Sequence, residues 1–328
     1  PAIRNLAGGV SNRTVWVQRT GGEAWVLKQA LPKLRVSVDW FSSPERIHRE
    51  ALGLRWLAEL APPGTNTPLV FEDHTHHLLA MQAVPQPHDN WKTLLLAGQL
   101  AEDHVIQFGR LLGTIHRQAY ERRAEIAAVF EERSFFESLR LEPYYSYTAS
   151  QVPSAADFLQ RLMAETRACR QTLVHGDYSP KNVLVYQDRL ILLDHEVIHW
   201  GDPAFDLGFS LTHLLSKAHY LPSQRPAFAA AARQYWQAYT ETIGDVFHTY
   251  LLKRPSPVQD YSGGAGSDLE FRAVHHTLAC LLARVAGRSP LEYLDEVSRI
   301  RQREAVLTLL PNPPGSVPEL VNEFIAQL

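Results

Sequence analysis

Three residues in one short stretch, Asp177, Asn182 and Asp194, have the types and spacing to do chemistry together. Asp177 and Asn182 lie five positions apart in a loop that enters a predicted strand at residues 183–185, and Asp194 closes the next predicted strand, 190–193. A hairpin of this length brings Asn182 and Asp194 close together at one end. Carboxylate and carboxamide oxygens suit Mg²⁺, which proteins commonly hold with few ligands beside substrate phosphates. Asp177 is then free to orient a hydroxyl group and accept its proton.

Each of these residues also has an ordinary structural explanation. Most Asp residues that precede turns only cap or form them, and Asp194 would then be a strand-end carboxylate that starts a turn. The tripeptide His-Gly-Asp at 175–177 is a weak signal by itself. Because all of these residues fall in register on one hairpin, the pattern favours a site that binds a metal ion and phosphate.

The spacing resembles the catalytic loop of protein kinases, in which an Asp is followed five residues later by an Asn and then by a metal-binding Asp. The motifs themselves, His-Gly-Asp at 175–177 and Asp-His-Glu at 194–196, are closer to those of the aminoglycoside phosphotransferase superfamily. The run Gly201–Gly208 is similar to one that this superfamily carries just afterwards. Two patches, one around Lys28 and one near the C-terminus, resemble the methylthioribose kinases of the same superfamily.

The resemblance covers nearly the whole chain and implies a two-lobed, protein-kinase-like α+β fold. A small antiparallel-sheet lobe is expected at residues 1–84 and a larger, mainly helical lobe at 85–328. It also implies an enzyme that uses ATP and Mg²⁺ to phosphorylate a hydroxyl group of a sugar-like or alcohol metabolite or of an aminoglycoside. By the same resemblance Asp206, with His175 as a further structural candidate, supports the catalytic loop, and Glu196 assists the metal.

The elements that must position these residues can be predicted from the rest of the chain. Residues 14–18 and 24–28 are rich in β-branched and aromatic side chains around a Gly-Gly turn, which predicts a hairpin. A helix is predicted to begin with Ser43 as its N-cap and Pro44 at its first position, and to stop before Pro62. Two further strands follow, at residues 68–72 and 77–84.

Residues 84–87, Val-Pro-Gln-Pro, look like a connector, and the chain beyond them is predicted to be mainly helical. Residues 255–267, rich in Pro, Gly and Ser, are predicted to form a mobile loop. Apolar spacing predicts helices that include residues 105–112, 155–169, 228–239 and 278–285.

The small lobe should supply the nucleotide site. Lys28 ends a strand where the kinase pattern places the lysine that holds the α- and β-phosphates, and Glu50 is its expected partner, with Glu45 as the alternative. Met81 and Ala83, just before the connector, are expected to complete the site. Small residues in the loop before the first hairpin would let backbone amides approach phosphate oxygens: Gly8, Gly9, Ser11 and Asn12.

A C-terminal segment could meet the acceptor. By the resemblance to methylthioribose kinases, Arg284 and Arg288 correspond to an arginine pair that contacts substrate. The alternative is a solvated basic stripe, or salt bridges to Glu292 or Asp295. Four residues recur every four positions here, which places them on one helix face: His276, Cys280, Arg284 and Arg288.

The charge of the acceptor can be weighed from these residues. A polycationic aminoglycoside would need a carboxylate-lined pocket, to which Asp260, Asp268 and Glu270 could contribute. Arg284 and Arg288 favour a neutral sugar or an anionic metabolite instead. We therefore expect a sugar-like or alcohol substrate.

The amino-acid composition indicates which classes of binding partner to expect. Lys and Arg number 32 against 35 Asp and Glu, a net charge of −3 that offers no footprint for nucleic acid or an anionic membrane. Cys169 and Cys280 fit no disulfide or zinc pattern, which favours a reducing cytoplasm. No apolar run approaches membrane-spanning length. A small-molecule substrate and a monomer or homodimer are expected.

Three further possibilities rank lower. His74, His76 and His77 fall in a predicted turn, and a transition-metal site would need ligands that converge in space, so an ordinary turn is favoured. A non-catalytic pseudokinase is disfavoured because Lys28 and all three hairpin residues are retained. A protein kinase is disfavoured because no Ala-Pro-Glu segment follows Asp194.

Overall fold

The N-terminal part of the chain is an antiparallel sheet. The computed structural model describes residues 2–6, 9–35, 39–244 and 268–328. Five strands pair in the order β1-β2-β3-β5-β4. Their bounds are Ala2–Leu6 for β1, Asn12–Gln18 for β2, Ala24–Ala30 for β3, Leu69–Asp73 for β4 and Leu78–Gln82 for β5.

The predicted hairpin is confirmed as β2 and β3, with Val15 opposite Leu27. Gly22 in its turn has φ 90°, a left-handed conformation that glycine adopts without a steric penalty. The strands predicted at 68–72 and 77–84 are confirmed as β4 and β5. β1 was not predicted, because Ala2–Leu6 is a largely exposed edge strand without a buried apolar face.

The first helix, α1, spans Arg46–Leu60 and packs on the sheet. Ile47, Ala51 and Leu54 form a buried cluster with side chains of β3 and β5. The helix ends before Pro62, as predicted, but the predicted start at Pro44 was wrong by two residues. Residues 43–46 instead form a tighter turn, in which the Arg46 N–H donates to Ser43 O and the Ile47 N–H to Pro44 O, both i to i+3 bonds.

The opposite side of α1 lies directly on the C-terminal part of the chain. A Cβ atom added at Gly53 would lie 2.8 Å from His195 Cβ and 3.2 Å from a methyl group of Ile198. Only glycine permits this approach. Residues 195–198 are therefore packed against the helix that carries Glu50.

Beyond residue 84 the chain is mainly helical, as predicted, and it holds the larger hydrophobic core. The four predicted helices are confirmed; three are longer than their apolar repeats, and the one predicted at 155–169 is one residue shorter at each end. The major helices are Glu102–Glu121, Ala156–Ala168, Pro203–Tyr220, Arg225–Ile243, Asp268–Ala286, Glu296–Leu309 and Val317–Ala326. Shorter helices are Trp91–Leu96, Arg123–Ile126, Ser134–Phe136 and Tyr147–Gln151, and a π-helix spans Glu137–Ser146.

Among the described residues of the helical region, five short strands interrupt the helices. Their bounds are Asp89–Asn90 for β6, Thr172–Val174 for β7, Val183–Tyr186 for β8, Arg189–Leu192 for β9 and His199–Gly201 for β10. β6 pairs with β8, β8 with β9, and β7 with β10.

The predicted hairpin that carries the candidate chemistry is confirmed as β8 and β9. Gln187 and Asp188 form its two-residue turn with φ 50° and 58°, the left-handed pair that matches strand twist. At its open end the Leu193 N–H donates to Asn182 O at 2.9 Å. Asn182 and Asp194 are thus held at the same end of the hairpin.

The loop predicted at 255–267 lies outside the described residues. Within the part of the chain that the structure describes, no helix is both long and apolar enough to span a membrane.

Candidate active site

The predicted catalytic loop places Asp177 in a defined hydrogen-bond network. Its Oδ2 accepts from Asn182 Nδ2 at 2.7 Å and from an Arg140 guanidinium nitrogen at 2.8 Å. Asn182 Nδ2 also donates to the Asp177 carbonyl at 3.0 Å. Because the amide nitrogen of Asn182 is engaged by Asp177, its carboxamide oxygen is the atom available to a cation.

Asp206 holds the loop from inside the helical region. Its Oδ2 accepts from the backbone N–H of His175 at 2.7 Å and its Oδ1 from that of Gly176 at 2.8 Å. Burial by itself would raise the pKa of this fully buried carboxyl, but the hydrogen bond and charge of His116 and the contacts with His175 lower the pKa below its ordinary range. An ionised Asp206 thus anchors the backbone that precedes Asp177.

His175 is buried beside the same loop. The Asp177 N–H donates to His175 Nδ1 at 3.2 Å. Burial lowers the pKa of this imidazole, which leaves it neutral with Nδ1 as an acceptor. His175 therefore shapes the backbone at Asp177 from within the protein.

Lys28 connects the sheet to the hairpin end. Its Nζ lies 2.7 Å from Glu50 Oε1 and 2.6 Å from Asp194 Oδ1. The alternative partner, Glu45, is largely exposed at the start of α1, where it lies nearest to His48 and His77. Glu50 rather than Glu45 is the residue that pairs with Lys28.

The charges of Lys28 and Asp194 stabilise each other. Burial by itself would lower the pKa of Lys28, but the carboxylates of Asp194 and Glu50 outweigh it and raise the pKa well above its ordinary value. Burial would likewise raise the pKa of Asp194, and Lys28 reverses this so that the pKa is lowered. The site therefore presents a cationic Lys28 and an anionic Asp194.

The loop before β2 is tied to the hairpin side by Glu196. Glu196 Oε2 accepts from Asn12 Nδ2 and from Arg46 Nε, each at 3.1 Å. This oxygen is thus engaged by a buried guanidinium, and the expectation that Glu196 assists the metal stays a prediction. Ser11 Oγ accepts from Asn12 Nδ2 at 3.2 Å, Gly9 is exposed, and Gly8 lies outside the described residues.

A cavity of about 680 Å³ lies over these residues, between the sheet and the hairpin. This volume falls in the range of cofactor-sized sites, about 300–1,000 Å³. The predicted nucleotide residues that line it are Gly9, Ser11, Asn12, Lys28, Met81 and Ala83, together with Asn182 and Asp194. Glu50 supports Lys28 without lining the cavity.

The donor set at the cavity fits a magnesium nucleotide. Asn182 and Asp194 offer a carboxamide and a carboxylate, the hard oxygen ligands that Mg²⁺ takes together with phosphate oxygens. Lys28 adds a positive charge where phosphates would lie, and the apolar side chain of Met81 also lines the cavity.

A second, smaller cavity opens beside Asp177. Its volume is about 80 Å³, and it combines cationic and aromatic side chains. The residues that line it include Asp177, Asp194, Arg140, Arg284, Lys181, His213, Trp40, Tyr144 and Phe209.

The two predicted arginines separate in the structure. Arg284 is buried, donates to Tyr144 Oη at 3.0 Å and lines the cavity beside Asp177. Arg288 lies past the end of the helix at Ala286, so the prediction that it shares the helix face was wrong. It pairs with Glu142 at 2.8 Å rather than with Glu292 or Asp295.

The remaining members of the predicted face are buried structural groups. Tyr145 Oη lies 2.7 Å from His276 Nδ1 and 3.3 Å from Cys280 Sγ. The solvated basic stripe is therefore wrong, since the helix Asp268–Ala286 is buried along most of its length.

The carboxylates considered for an aminoglycoside lie elsewhere. Asp268 pairs with Arg272 at 2.8 Å, and Glu270 accepts from the Val317 N–H at 2.9 Å. Asp260 lies outside the described residues. Neither described residue lines the cavity beside Asp177.

From the sequence, the segment 133–140 is a candidate substrate-facing element for which core packing is favoured, and Arg46 is not singled out. Arg140 lies in the π-helix, in a segment whose aromatic spacing is typical of core packing. Arg46 is fully buried and donates to Glu196 and to the carbonyls of Ser11 and Leu31. The sequence feature that could have identified Arg140 is a charged residue among apolar residues at helical spacing. Arg46 has no such feature, because in the sequence it looks like an exposed residue of the first helical turn.

Comparisons with known proteins identify the family of this chain. The model of the phosphotransferase enzyme family (APH) matches residues 2–242. A methylthioribose kinase from Pectobacterium carotovorum subsp. carotovorum (strain PC1) is 25% identical over 326 residues, covering 87% of this chain and 80% of that protein.

Two solved structures share the fold at 14% sequence identity. An amicoumacin kinase in complex with AMP-PNP and Ca²⁺ superposes with a TM-score of 0.58, covering 97% of this chain and 91% of that one. A choline/ethanolamine kinase family protein from Mesorhizobium loti gives 0.56, covering 100% and 92%. The expected kinase-like α+β fold is confirmed.

Proposed function

Because this chain belongs to the phosphotransferase enzyme family, as its resemblance predicted, we propose that it transfers the γ-phosphate of ATP to a hydroxyl group of a small molecule. One observation carries the proposal. Asp177 lies beside Asn182 at the same hairpin end where Lys28 bridges Glu50 and Asp194, so a proton acceptor and phosphate-binding charges share one cleft. We place the nucleotide-binding lobe at residues 1–84 and the catalytic lobe at 85–328.

The roles of the chain's own residues follow from their contacts. Lys28, oriented by Glu50, binds phosphate oxygens, and the loop at residues 8–12 covers them. Asp177 Oδ1, the oxygen not bonded to Arg140 or Asn182, orients the acceptor hydroxyl and takes its proton. Catalysis then rests on positioning and charge rather than on a covalent intermediate.

Asn182 Oδ1 and Asp194 would hold Mg²⁺. When bound, this ion neutralises charge on the phosphates. Glu196 positions Asn12 and Arg46, which aligns the phosphate-covering loop with the hairpin.

The cavity beside Asp177 supports a small acceptor that is neutral or anionic. Its volume of about 80 Å³ is well below the roughly 300 Å³ of a site for a drug-sized ligand. Arg140, Arg284 and Lys181 balance the carboxylates of Asp177, Asp194 and Glu196 in its lining, so the cavity has no surplus of negative charge to attract a polycation. Aromatic walls from Trp40, Tyr144 and Phe209 favour a ligand with an apolar face.

These properties favour a sugar-like metabolite over an aminoglycoside. Methylthioribose combines hydroxyl groups with an apolar thioether, and the relative from Pectobacterium carotovorum is a methylthioribose kinase. We therefore rank a thio-substituted pentose first among the acceptors.

Cys169 and Cys280 are both buried free thiols, which supports a cytoplasmic location.

The decisive experiment is an acceptor screen. Purified protein is incubated with Mg²⁺ and ATP or GTP in the presence of methylthioribose, aminoglycosides or small amino alcohols, and phosphorylated product is identified by mass spectrometry. We expect product from a neutral sugar-like acceptor. Nucleotide binding without product from any acceptor would favour the pseudokinase alternative.

Arg284 and Arg288 provide a matched test of acceptor binding. Arg284→Gln should raise the KM for the acceptor about tenfold to a hundredfold, because a hydrogen bond to a charged group contributes about 1.5–3 kcal/mol. Arg288→Gln should leave this KM unchanged, since Arg288 pairs with Glu142 outside the cavity. Steady-state kinetics at saturating ATP measures both, and equal effects would contradict the assignment.

A further inference from the structure

We propose that Glu45, His48 and His77 form a second metal site, which binds a transition ion such as Zn²⁺ on the N-terminal sheet. The site does not depend on the proposed kinase activity. The three side chains come from two elements, since Glu45 and His48 lie one helical turn apart at the start of α1 and His77 ends the turn between β4 and β5. All three offer a ligand atom within 4.8 Å of the others.

Two of the three separations between the ligand atoms match a tetrahedral ion. His48 Nε2 lies 3.4 Å from His77 Nδ1, His77 Nδ1 lies 3.5 Å from Glu45 Oε1, and His48 Nε2 lies 4.0 Å from Glu45 Oε2. Ligands at about 2.0–2.2 Å from Zn²⁺ are separated by about 3.3–3.6 Å in a tetrahedron. The largely exposed Glu45 can close the longer gap, and the fourth position is left to water.

The ring orientations select His77 over His74 as the second imidazole. The rings of His48 and His77 are inclined by 57°, so their in-plane lone pairs can converge on one ion. The rings of His48 and His74 are stacked at 3.9 Å with an inclination of 8°. Parallel lone pairs do not meet, which excludes the alternative group of His48, Glu72 and His74.

The other nitrogen of His48 faces a carboxylate that could support it. His48 Nδ1 and Glu72 Oε2 are both buried without a hydrogen-bond partner, and they lie 4.0 Å apart. Glu72 is itself held by Arg55 at 3.2 Å and by His74 at 2.9 Å. Metal-bound histidines commonly donate their second N–H to such a carboxylate, so binding of an ion would give both orphaned atoms a partner.

The donor set selects the ion. Two imidazoles and one carboxylate suit Zn²⁺ and neighbouring transition metals, whereas Mg²⁺ prefers oxygen ligands. Excess Mg²⁺ should therefore fill the proposed nucleotide site without competing here.

The expected role is to fasten α1 to the sheet. The start of the helix meets the turn between β4 and β5 through Glu45, His48 and His77, whose side chains are partly exposed. An ion that binds the folded state stabilises it in proportion to ln(1 + [ion]/Kd). Zn²⁺ should therefore raise the Tm in a concentration-dependent way.

The test measures Zn²⁺ affinity of tag-free protein by competition with a chromophoric chelator, in excess Mg²⁺. We expect one tight ion per chain. His77→Asn should weaken the affinity more than tenfold, and Asn suits the φ of 46° at this position. His76→Asn is the matched control, because His76 lies in the same turn but pairs with Asp73.

Two further variants separate a built site from adventitious surface binding. Glu45→Gln removes a ligand and should also abolish the Zn²⁺-dependent rise in Tm, whereas Glu72→Gln should weaken binding about 10–100-fold through His48. Equal affinity in the His76→Asn and His77→Asn variants, or no ion bound to the wild type, would overturn the proposal. Retained phosphotransferase activity in all four variants would show that the outcome concerns this site alone.

Discussion

Asp177→Ala is expected to lose about 10²–10⁴-fold in kcat, the contribution of a positioned general base, while nucleotide affinity stays at the wild-type level. The reason is the geometry of the loop. Asp177 contacts Asn182 and Arg140 but has no contact with Lys28 or Glu50, which hold the phosphate side of the site. Steady-state kinetics and titration with a fluorescent ATP analogue measure the two quantities separately.

Asp177→Asn controls for structural damage. The amide retains an oxygen for Arg140 and Asn182 but cannot accept a proton, so kcat should fall as far as in the alanine variant. Asp188→Asn is a matched substitution in the exposed hairpin turn and should behave as the wild type. Near-normal turnover in either Asp177 variant would show that another group accepts the proton.

Asp194→Asn should weaken binding of the magnesium nucleotide and reduce kcat by about 10²–10³-fold, as expected when one preorganised charge is removed. Asparagine is the informative replacement because Asp194 has φ 70°, which alanine would adopt only with strain of about 1–2 kcal/mol. The measurement is nucleotide affinity as a function of Mg²⁺ concentration.

The two variants should differ in kind. Asp194→Asn should lose the dependence of nucleotide affinity on Mg²⁺, whereas Asp177→Asn should keep it. Wild-type dependence on Mg²⁺ in Asp194→Asn would exclude this carboxylate as a metal ligand. A simple loss of folding would instead lower the Tm, since Asp194 also pairs with Lys28 at 2.6 Å.

The hairpin and its three polar residues could be predicted because the whole pattern is local. Strand alternation, a two-residue turn and the spacing from Asp177 to Asn182 all lie within about twenty residues of sequence. The pair of Lys28 and Glu50 could be placed only through the family resemblance, since 22 residues separate the two. Spacing by itself left Glu45 open as an alternative.

Contacts that join distant segments could not be predicted. Arg140 contacts Asp177, which lies 37 positions later in the sequence. Arg140 belongs to a π-helix that no local sequence pattern predicted. His48 lies beside His77 only because α1 packs beside the turn between β4 and β5. The sequence of the turn by itself groups His77 with His74 and His76 instead. The helical spacing of Arg284 and Arg288 failed because the helix ends between them.

The packing of α1 has a consequence for regulation. Glu50 lies between two anchors of that helix, Arg46 bonded to Glu196 on one side and Gly53 pressed against His195 on the other. In protein kinases, displacement of the corresponding helix breaks the lysine–glutamate pair and switches the enzyme off. Such a displacement here would also have to break the buried pair of Arg46 and Glu196 and separate Gly53 from His195. We therefore expect the Lys28–Glu50 pair to stay formed, and the reaction rate to depend on the concentrations of acceptor and nucleotide.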